Sequence, residues 1–241
     1  MSHEALPHYP GKELEAMSFA ANYHRWIIDE IAPFLGDTVA EVGAGVGSVS
    51  RLLLEKPIKR LLAFEPSRNM FPMLAGELRH DARATAVNDF FGPRHAGAGF
   101  DSIAYINVLE HIEDDAAELA NALAALRPNG HLLVFVPALA WLYGDFDRQV
   151  GHFRRYTKRG LCDLVAGAGF TTVKARYFDV AGVIPWYVNF VLLRRSMGGG
   201  SVSLYDRLVV PLMRPLESAV APPIGKNVLL IARKEAIPHH R

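Results

Sequence analysis

The run Thr38-Val-Ala-Glu-Val-Gly-Ala-Gly-Val-Gly-Ser48 passes from a short apolar strand directly into a glycine-rich turn. Ser48 then opens a helix whose inward face is Val49, Leu52 and Leu53. An apolar strand feeding a glycine turn and then a helix is the first half of a β-α-β unit. Glycine lets the backbone turn sharply and approach a ligand closely, while the first amides of the next helix are free to meet an anionic group.

The alternation continues outward from this unit. Upstream, residues 17–35 carry helical spacing through Phe19, Tyr23, Trp26, Ile27 and Ile31 and stop near Pro33 and Gly36. Downstream, Arg60–Phe64, Ala84–Val87 and Phe100–Ile106 read as strands, as do 131–136, 171–178 and 227–233. Helices are expected from a Ser67 cap to about His80, over 114–126 behind an acidic first turn, and over 157–168. Arg127-Pro-Asn-Gly130 reads as a turn. Seven strands alternating with helices imply an α/β doubly wound sheet. Residues 181–225 fall outside the alternation and form a helical insertion before the last strand.

With 241 residues the chain suits a single domain (1–241), half of it hydrophobic. A formal net charge of +1 gives no electrostatic case for a nucleic acid. The single cysteine, Cys162, excludes an internal disulfide and reads as a small buried hydrophobe in a reducing compartment. Residues 1–15 have no apolar signal core, and the longest apolar run, 180–193, is too short and broken to span a bilayer. A cytoplasmic monomer or homodimer is the expectation. His239 and His240 sit in a polar tail and read as disordered rather than metal-binding.

In a doubly wound sheet ligands lie beyond the carboxyl ends of the strands, so those ends carry the function. The first offers Glu41 with Gly43, Ala44, Gly45 and Gly47; the second Glu65-Pro66; the third Asn88-Asp89-Phe90; the fourth Asn107 to His111. The dinucleotide pattern G-x-G-x-x-G/A is broken, because Ser48 stands in its third position. Glu41 would repel a pyrophosphate and attract an ammonium. These features favour S-adenosylmethionine (SAM): Glu41 for the methionine ammonium, Glu65 for the ribose hydroxyls, Asp89 for the adenine amino group, and Phe90 beside the ring.

Together the motifs resemble those of the class I SAM-dependent methyltransferases, over roughly residues 36–178 and the last strand. Glu41 to Gly47 resembles the first motif of that family, Glu65 its ribose acid, and Asn88 to Phe90 its adenine site. Residues 100–111, with Asn107, and the turn 126–130 resemble its later motifs. The resemblance implies strand order 3-2-1-4-5-7-6 with strand 7 antiparallel, and S-adenosylhomocysteine as product.

An acceptor should face the fourth and fifth strand ends, where residues 137–156 mix aromatic and ionisable groups. Gly151-His-Phe-Arg-Arg-Tyr156 resembles a stretch of small-molecule methyltransferases. It nominates His152 and Tyr156 as catalytic groups and Arg154 and Arg155 as acceptor-holding ones, with Trp141, Tyr143, Trp186 and Tyr187 around the pocket. The arginines have a structural alternative, pairing with Asp145 and Asp147 to pin the loop. His111 has another, supporting its own loop. No H-x-x-x-H, C-x-x-C or clustered-carboxylate spacing points to a metal. Leu204, Leu208, Leu212, Leu216 and Val220 recur every four residues and predict a one-sided helical pair roofing an apolar acceptor, with a core extension or dimer contact as the alternative. The expected activity is methyl transfer to a small, partly apolar acceptor, with oxygen favoured. A nicotinamide oxidoreductase and a non-catalytic SAM-binding module are the rival readings.

Overall fold

The computed structural model describes residues 20–194 and 199–236. The described strands are β1 (Thr38–Val42), β2 (Arg60–Phe64), β3 (Ala84–Val87), β4 (Phe100–Ile106), β5 (Leu126–Pro137), β6 (Phe170–Phe178) and β7 (Asn227–Lys234). They form one sheet in the order β3-β2-β1-β4-β5-β7-β6. Strands β1 to β5 run parallel, and β7 lies antiparallel between β5 and β6. The helices are α1 (Ala21–Ile31), α2 (Ser48–Leu54), α3 (Phe71–Leu78), α4 (Asp115–Ala125), α5 (Asp145–Gln149), α6 (Lys158–Gly167), α7 (Val183–Trp186), α8 (Gly199–Leu208) and α9 (Val210–Ala219). Among the described residues no helix is long and apolar enough to cross a membrane.

Successive strand residues face opposite sides, so one strand feeds two cores. Ala40, Val42, Leu132 and Val134 pack with Leu119 of α4 and Leu161 of α6. Val39, Leu61, Leu133 and Phe135 pack with Trp26 and Ile27 of α1 and Leu53 of α2. Both sides of the central strands are thus covered, which is why β5 and β7 read as nearly unbroken apolar runs. Cys162 is half-buried against the first of these cores, a free thiol.

Three expected boundaries shift for local reasons. Ser67 does not cap a helix: its hydroxyl donates to Asn69 and its amide to Glu65, so α3 starts at Phe71 with Pro72 in its first turn. The turn at 127–130 is absorbed into β5 as an irregularity opposite β4, with Asn129 at φ 62°. Residues 145–149 form a short helix that no periodicity announces. The expected helical start at 17–19 and the pair His239 and His240 lie outside the described residues.

The largest correction falls on residues 181–225. Their described part is largely helical, but the stripe at four-residue spacing faces solvent: Leu204, Leu208, Leu212, Leu216 and Val220 are 60–73% exposed. The acids face inward instead. The Asp206 carboxylate accepts from the amides of Asn22 and Tyr23, at 3.0 and 2.8 Å. It supplies the cap that Ala20, with no side-chain oxygen, cannot give to α1. Glu217 likewise accepts from the amides of Asp179 and Val180, at 3.0 and 2.8 Å, just beyond β6. Each amide left buried without an acceptor would cost about 1–3 kcal/mol, so the acids hold the orientation of α8 and α9, the outer rod.

The site is positioned by the divergence of the loops after β1 and β4. Gly43, Gly45 and Gly47 have φ values of +69°, +58° and +91°, in the left-handed region. At Gly43 a Cβ would lie 2.6 Å from Cγ2 of Val108, so the two loops meet backbone to side chain.

Two predictions follow the packing. Gly43→Ala should lose about 2–4 kcal/mol, from the left-handed backbone and from the collision. The double variant Gly43→Ala/Val108→Ala should recover the collision part alone, measured by urea unfolding. On the outer rod, Asp206→Ala should lower stability by about 2–3 kcal/mol whereas Leu208→Asp should change it by less than about 0.5 kcal/mol. Equal losses in the two variants would show that the stripe, not the acid, holds the rod.

Candidate active site

The loops after β1 and β4, with Tyr23 and His24 of α1, Phe146 of α5, Trp186 of α7 and Lys226-Asn227 before and at β7, enclose about 180 Å³. Val42 to Val46 and Asn107 line one part of it, with Glu41 beside them. Glu41 is buried and its Oε2 accepts from Ser50 Oγ at 2.5 Å. Burial pushes its carboxyl up to about 8, against the Ser50 hydrogen bond and with help from the Glu65 charge. Asn107 holds φ 54°, and its amide donates to the carbonyl of Phe135.

Glu65 and Asp89 stand outside the cavity lining, on the next strand ends. Glu65 is buried and both oxygens are oriented by backbone amides, Gly45 to Oε2 and Ser67 to Oε1, each at 2.8 Å. Burial raises its carboxyl and those two amides oppose the rise. Asn88 Nδ2 donates to the Glu65 carbonyl at 2.9 Å, tying the third strand end to the second. Asp89 is half-buried, paired with Arg94 at 2.5 Å and accepting from the Phe90 amide. The Arg94 hydrogen bond holds its carboxyl below the usual range. Pro66 is half-buried, and the Phe90 ring is 55% exposed, open to stack on a planar group.

These residues fit SAM chemically. A buried carboxyl with one oxygen bonded suits an ammonium, a carboxylate held by two amides keeps lone pairs for two hydroxyls, and the left-handed glycines leave the backbone bare.

The opposite wall is a polar cluster centred on Asp147. Asp147 is fully buried; its Oδ1 accepts from His152 Nδ1 and Arg155 Nε, both at 2.8 Å, and its Oδ2 from the Gly144 amide at 3.0 Å. Burial works against this anion, but the His152 hydrogen bond and the Arg155 charge outweigh it and hold the carboxyl low. His152 is thereby fixed with Nδ1 as donor, and its Nε2 lies 3.9 Å from Glu110 Oε1. The rings of His111 and His152 meet edge to face at 4.6 Å between centroids. Burial raises Glu110 to about 8 and lowers His111 to about 4. Arg155 lies over the Trp186 ring at 4.7 Å and Lys226 at 5.5 Å, while Lys226 pairs with Asp179 at 2.9 Å.

His152, Arg155 and Trp186 therefore reach the cavity as expected, but other acceptor candidates do not. Tyr156 donates to Asp115 Oδ2 at 2.8 Å, and burial beside that anion pushes its phenol far up, so it ties two loops together outside the cavity lining. Arg154 pairs with the same Asp115 at 2.6 Å and with the Glu113 carbonyl. Tyr143 donates to the His152 carbonyl at 2.7 Å, supporting the loop from behind. Trp141 is exposed and packs on Tyr187, 5.6 Å between centroids, outside the lining. Among the described residues of 181–225 only Trp186 reaches the cavity wall, so the roof reduces to that ring. Phe146, Asn227 and Lys226 line the cavity without having been nominated. Asp147, by contrast, carried a signal: an acid five residues before a histidine in a loop already rich in arginine.

Comparison with known proteins agrees with this geometry. A family model described as a methyltransferase domain matches residues 18–175. A ubiquinone biosynthesis O-methyltransferase of Xylella fastidiosa (strain 9a5c) is 29% identical over 134 residues, covering 53% of this chain and 52% of that protein. The chain thus spans about half the length of the curated relative it matches. A SAM-dependent methyltransferase from Archaeoglobus fulgidus superposes with a TM-score of 0.63 at 14% identity, covering 92% of this chain and 99% of that one. The 1,6-didemethyltoxoflavin-N1-methyltransferase of Burkholderia thailandensis, solved with its substrate and S-adenosylhomocysteine, gives 0.62 at 19% identity, covering 94% and 83%. With the matched domain and the sheet order in agreement, the chain belongs to the methyltransferase-domain family, among the class I SAM-dependent methyltransferases.

Proposed function

We propose that the cavity receives a small, partly apolar acceptor and that the chain methylates it on oxygen. The observation that carries this reading is the Asp147–His152 pair: Asp147 commits Nδ1 as donor, which leaves the Nε2 lone pair for an acceptor hydroxyl. Phe146, Val150, Ile106 and Trp186 supply an apolar lining around that atom. The curated relative, itself an O-methyltransferase by name, supports oxygen over nitrogen.

Bound SAM supplies a methyl group already activated on a sulfonium. The residues to hold it are Glu41 toward the ammonium, Glu65 toward the ribose, Asp89 and Phe90 toward the adenine, with Gly43, Ala44, Gly45, Gly47 and Asn107 as the surrounding backbone. The task of the opposite wall is to orient the acceptor and exclude water. His152 meets the hydroxyl, Asp147 and Arg155 fix His152, and Trp186 fixes Arg155.

His152→Ala should lower kcat by about 10²-fold, with SAM affinity unchanged by calorimetry. A screen of phenolic acceptors, read by release of S-adenosylhomocysteine, supplies the substrate for that comparison. Near-normal turnover in the variant would remove His152 from the reaction.

Glu41 gives a second expectation. With its carboxyl near 8, it is mostly protonated at pH 7 in the unliganded chain. An ammonium beside it favours the anion, so SAM binding at pH 7 should release close to one proton, roughly 0.9 for a group of that pKa. The release should vanish above about pH 9, where Glu41 is already ionised, and in Glu41→Gln at every pH. Titration calorimetry in buffers of different ionisation enthalpy measures it; heats independent of the buffer at pH 7 would place the ammonium elsewhere.

A further inference from the structure

Glu110, His111 and His152 each offer one donor atom, and the three atoms lie within 4.8 Å of one another. Glu110 and His111 come from the loop after β4, and His152 from the loop after α5. We propose that they hold a divalent transition-metal ion whose open positions face the cavity and take an oxygen of the acceptor.

The buried carboxylate is the strongest sign. Glu110 is 0% exposed, and neither of its side-chain oxygens has a hydrogen-bond partner among the described residues. A carboxyl removed from water with no hydrogen-bond partner is costly in either protonation state, and native structures rarely keep one without a water or a ligand to satisfy it. The Arg155 guanidinium acts on it through charge and not through a hydrogen bond: Nε goes to Asp147, Nη1 to the Ala138 carbonyl, and Nη2 is buried without a partner among the described residues.

A second sign is the arrangement around His152. Histidines that bind metals usually donate their other ring N–H to a carboxylate, which fixes the tautomer and orientation. His152 does this through Nδ1 to Asp147, 2.8 Å away, and leaves Nε2 3.9 Å from Glu110 Oε1. Donors on one tetrahedral or octahedral ion stand roughly 3–4 Å apart, so the cluster closes around an ion with shifts of about an ångström or less. Two imidazoles and one carboxylate suit zinc, manganese, iron or cobalt better than magnesium or calcium. Three protein donors leave positions for substrate, the pattern of catalytic rather than structural sites.

This inference rests on the cavity being the acceptor site, and it deepens that reading. With the ion in place the Nε2 lone pair is taken by the metal, so the acceptor oxygen binds the ion instead of His152 itself, and the ion favours loss of its proton. An acceptor with two adjacent oxygens would then be favoured over one with a single hydroxyl.

The test is titration of chelator-treated protein with Mn²⁺, followed by loss of the free-ion EPR signal. One site per chain is expected. Glu110→Gln and His111→Gln should each weaken it at least tenfold, and Asp147→Asn by about ten- to a hundredfold. Co²⁺ should give a visible absorption band that is lost in the same variants. Thermal unfolding in metal-free buffer shows which variants are folded, and any folded one suffices. Absence of a Mn²⁺ site in the wild type would overturn the proposal. So would a site that survives in the folded variants, which would point to the histidines near the chain ends, His3, His8, His239 and His240. SAM calorimetry on the same samples separates the two readings: SAM binding without a Mn²⁺ site sinks the metal alone, and a Mn²⁺ site without SAM binding sinks methyl transfer.

Discussion

The close approach of Gly43 to Val108 is the contact on which the site depends. Strand β1 has β2 on one side and β4 on the other, so the loops leaving β1 and β4 part where the strand order reverses. A crevice at that point is forced by topology; its shape is not. The loop after β1 must lie flat against the loop after β4 if Glu41, Asn107 and Glu110 are to border one cavity. Only a residue without Cβ permits this at position 43, and φ +69° adds a second demand for glycine there. Sheet, loop and cavity are therefore linked through one missing methyl group.

Around that crevice the chain buries four acids that differ in how far hydrogen bonds satisfy them. Asp147 is surrounded by donors and stays ionised, so it acts as a rigid anchor for His152 and Arg155. Glu65 is held by two amides and keeps acceptor capacity. Glu41 has one hydroxyl partner and Glu110 none, and both carboxyls are driven up to about 8. A shift of that size corresponds to several kcal/mol of folding free energy set against the charged form. A cation arriving beside either group relieves that strain. The two least satisfied acids are thus the two at which the proposed cations, an ammonium at Glu41 and a metal ion at Glu110, would gain most.

The fold was legible because it rests on local rules. Strand periodicity, the glycine turn after Val42 and the acids at successive strand ends are features of short windows, and the parallel sheet preserves them. The acceptor wall was only half legible. His152, Arg155 and Trp186 announced themselves by residue type, but nothing local separates Arg154 from Arg155, and only the fold turns the second inward to Asp147 and the first outward to Asp115. The cluster of Glu110, His111 and His152 escapes any spacing rule, because its members are joined by packing between two loops. The outer rod misleads for a different reason. A leucine every fourth residue predicts an inward face when apolar burial is the strongest demand on a helix, but here the amides at the start of α1 and the end of β6 need acceptors, and Asp206 and Glu217 meet them.

The two halves of the site also differ in how far each constrains the reaction. The half proposed to hold SAM is built from backbone and carboxylates on the strand ends, the part of the chain that the methyltransferase family model spans from 18 to 175. Trp186, Lys226 and Asn227 come from beyond that span, in residues that lie outside the plain alternation or at its last strand. The two parts are coupled through charge on aromatic faces, since the Arg155 guanidinium and the Lys226 ammonium both lie over the Trp186 ring. Asp147 fixes Arg155 and Asp179 fixes Lys226, so the indole meets two anchored cations. Its position is therefore set by the same buried anion that sets His152. A change of acceptor would begin with the residues that hold this ring, because the groups that would hold SAM can stay as they are while the wall beside it is remade.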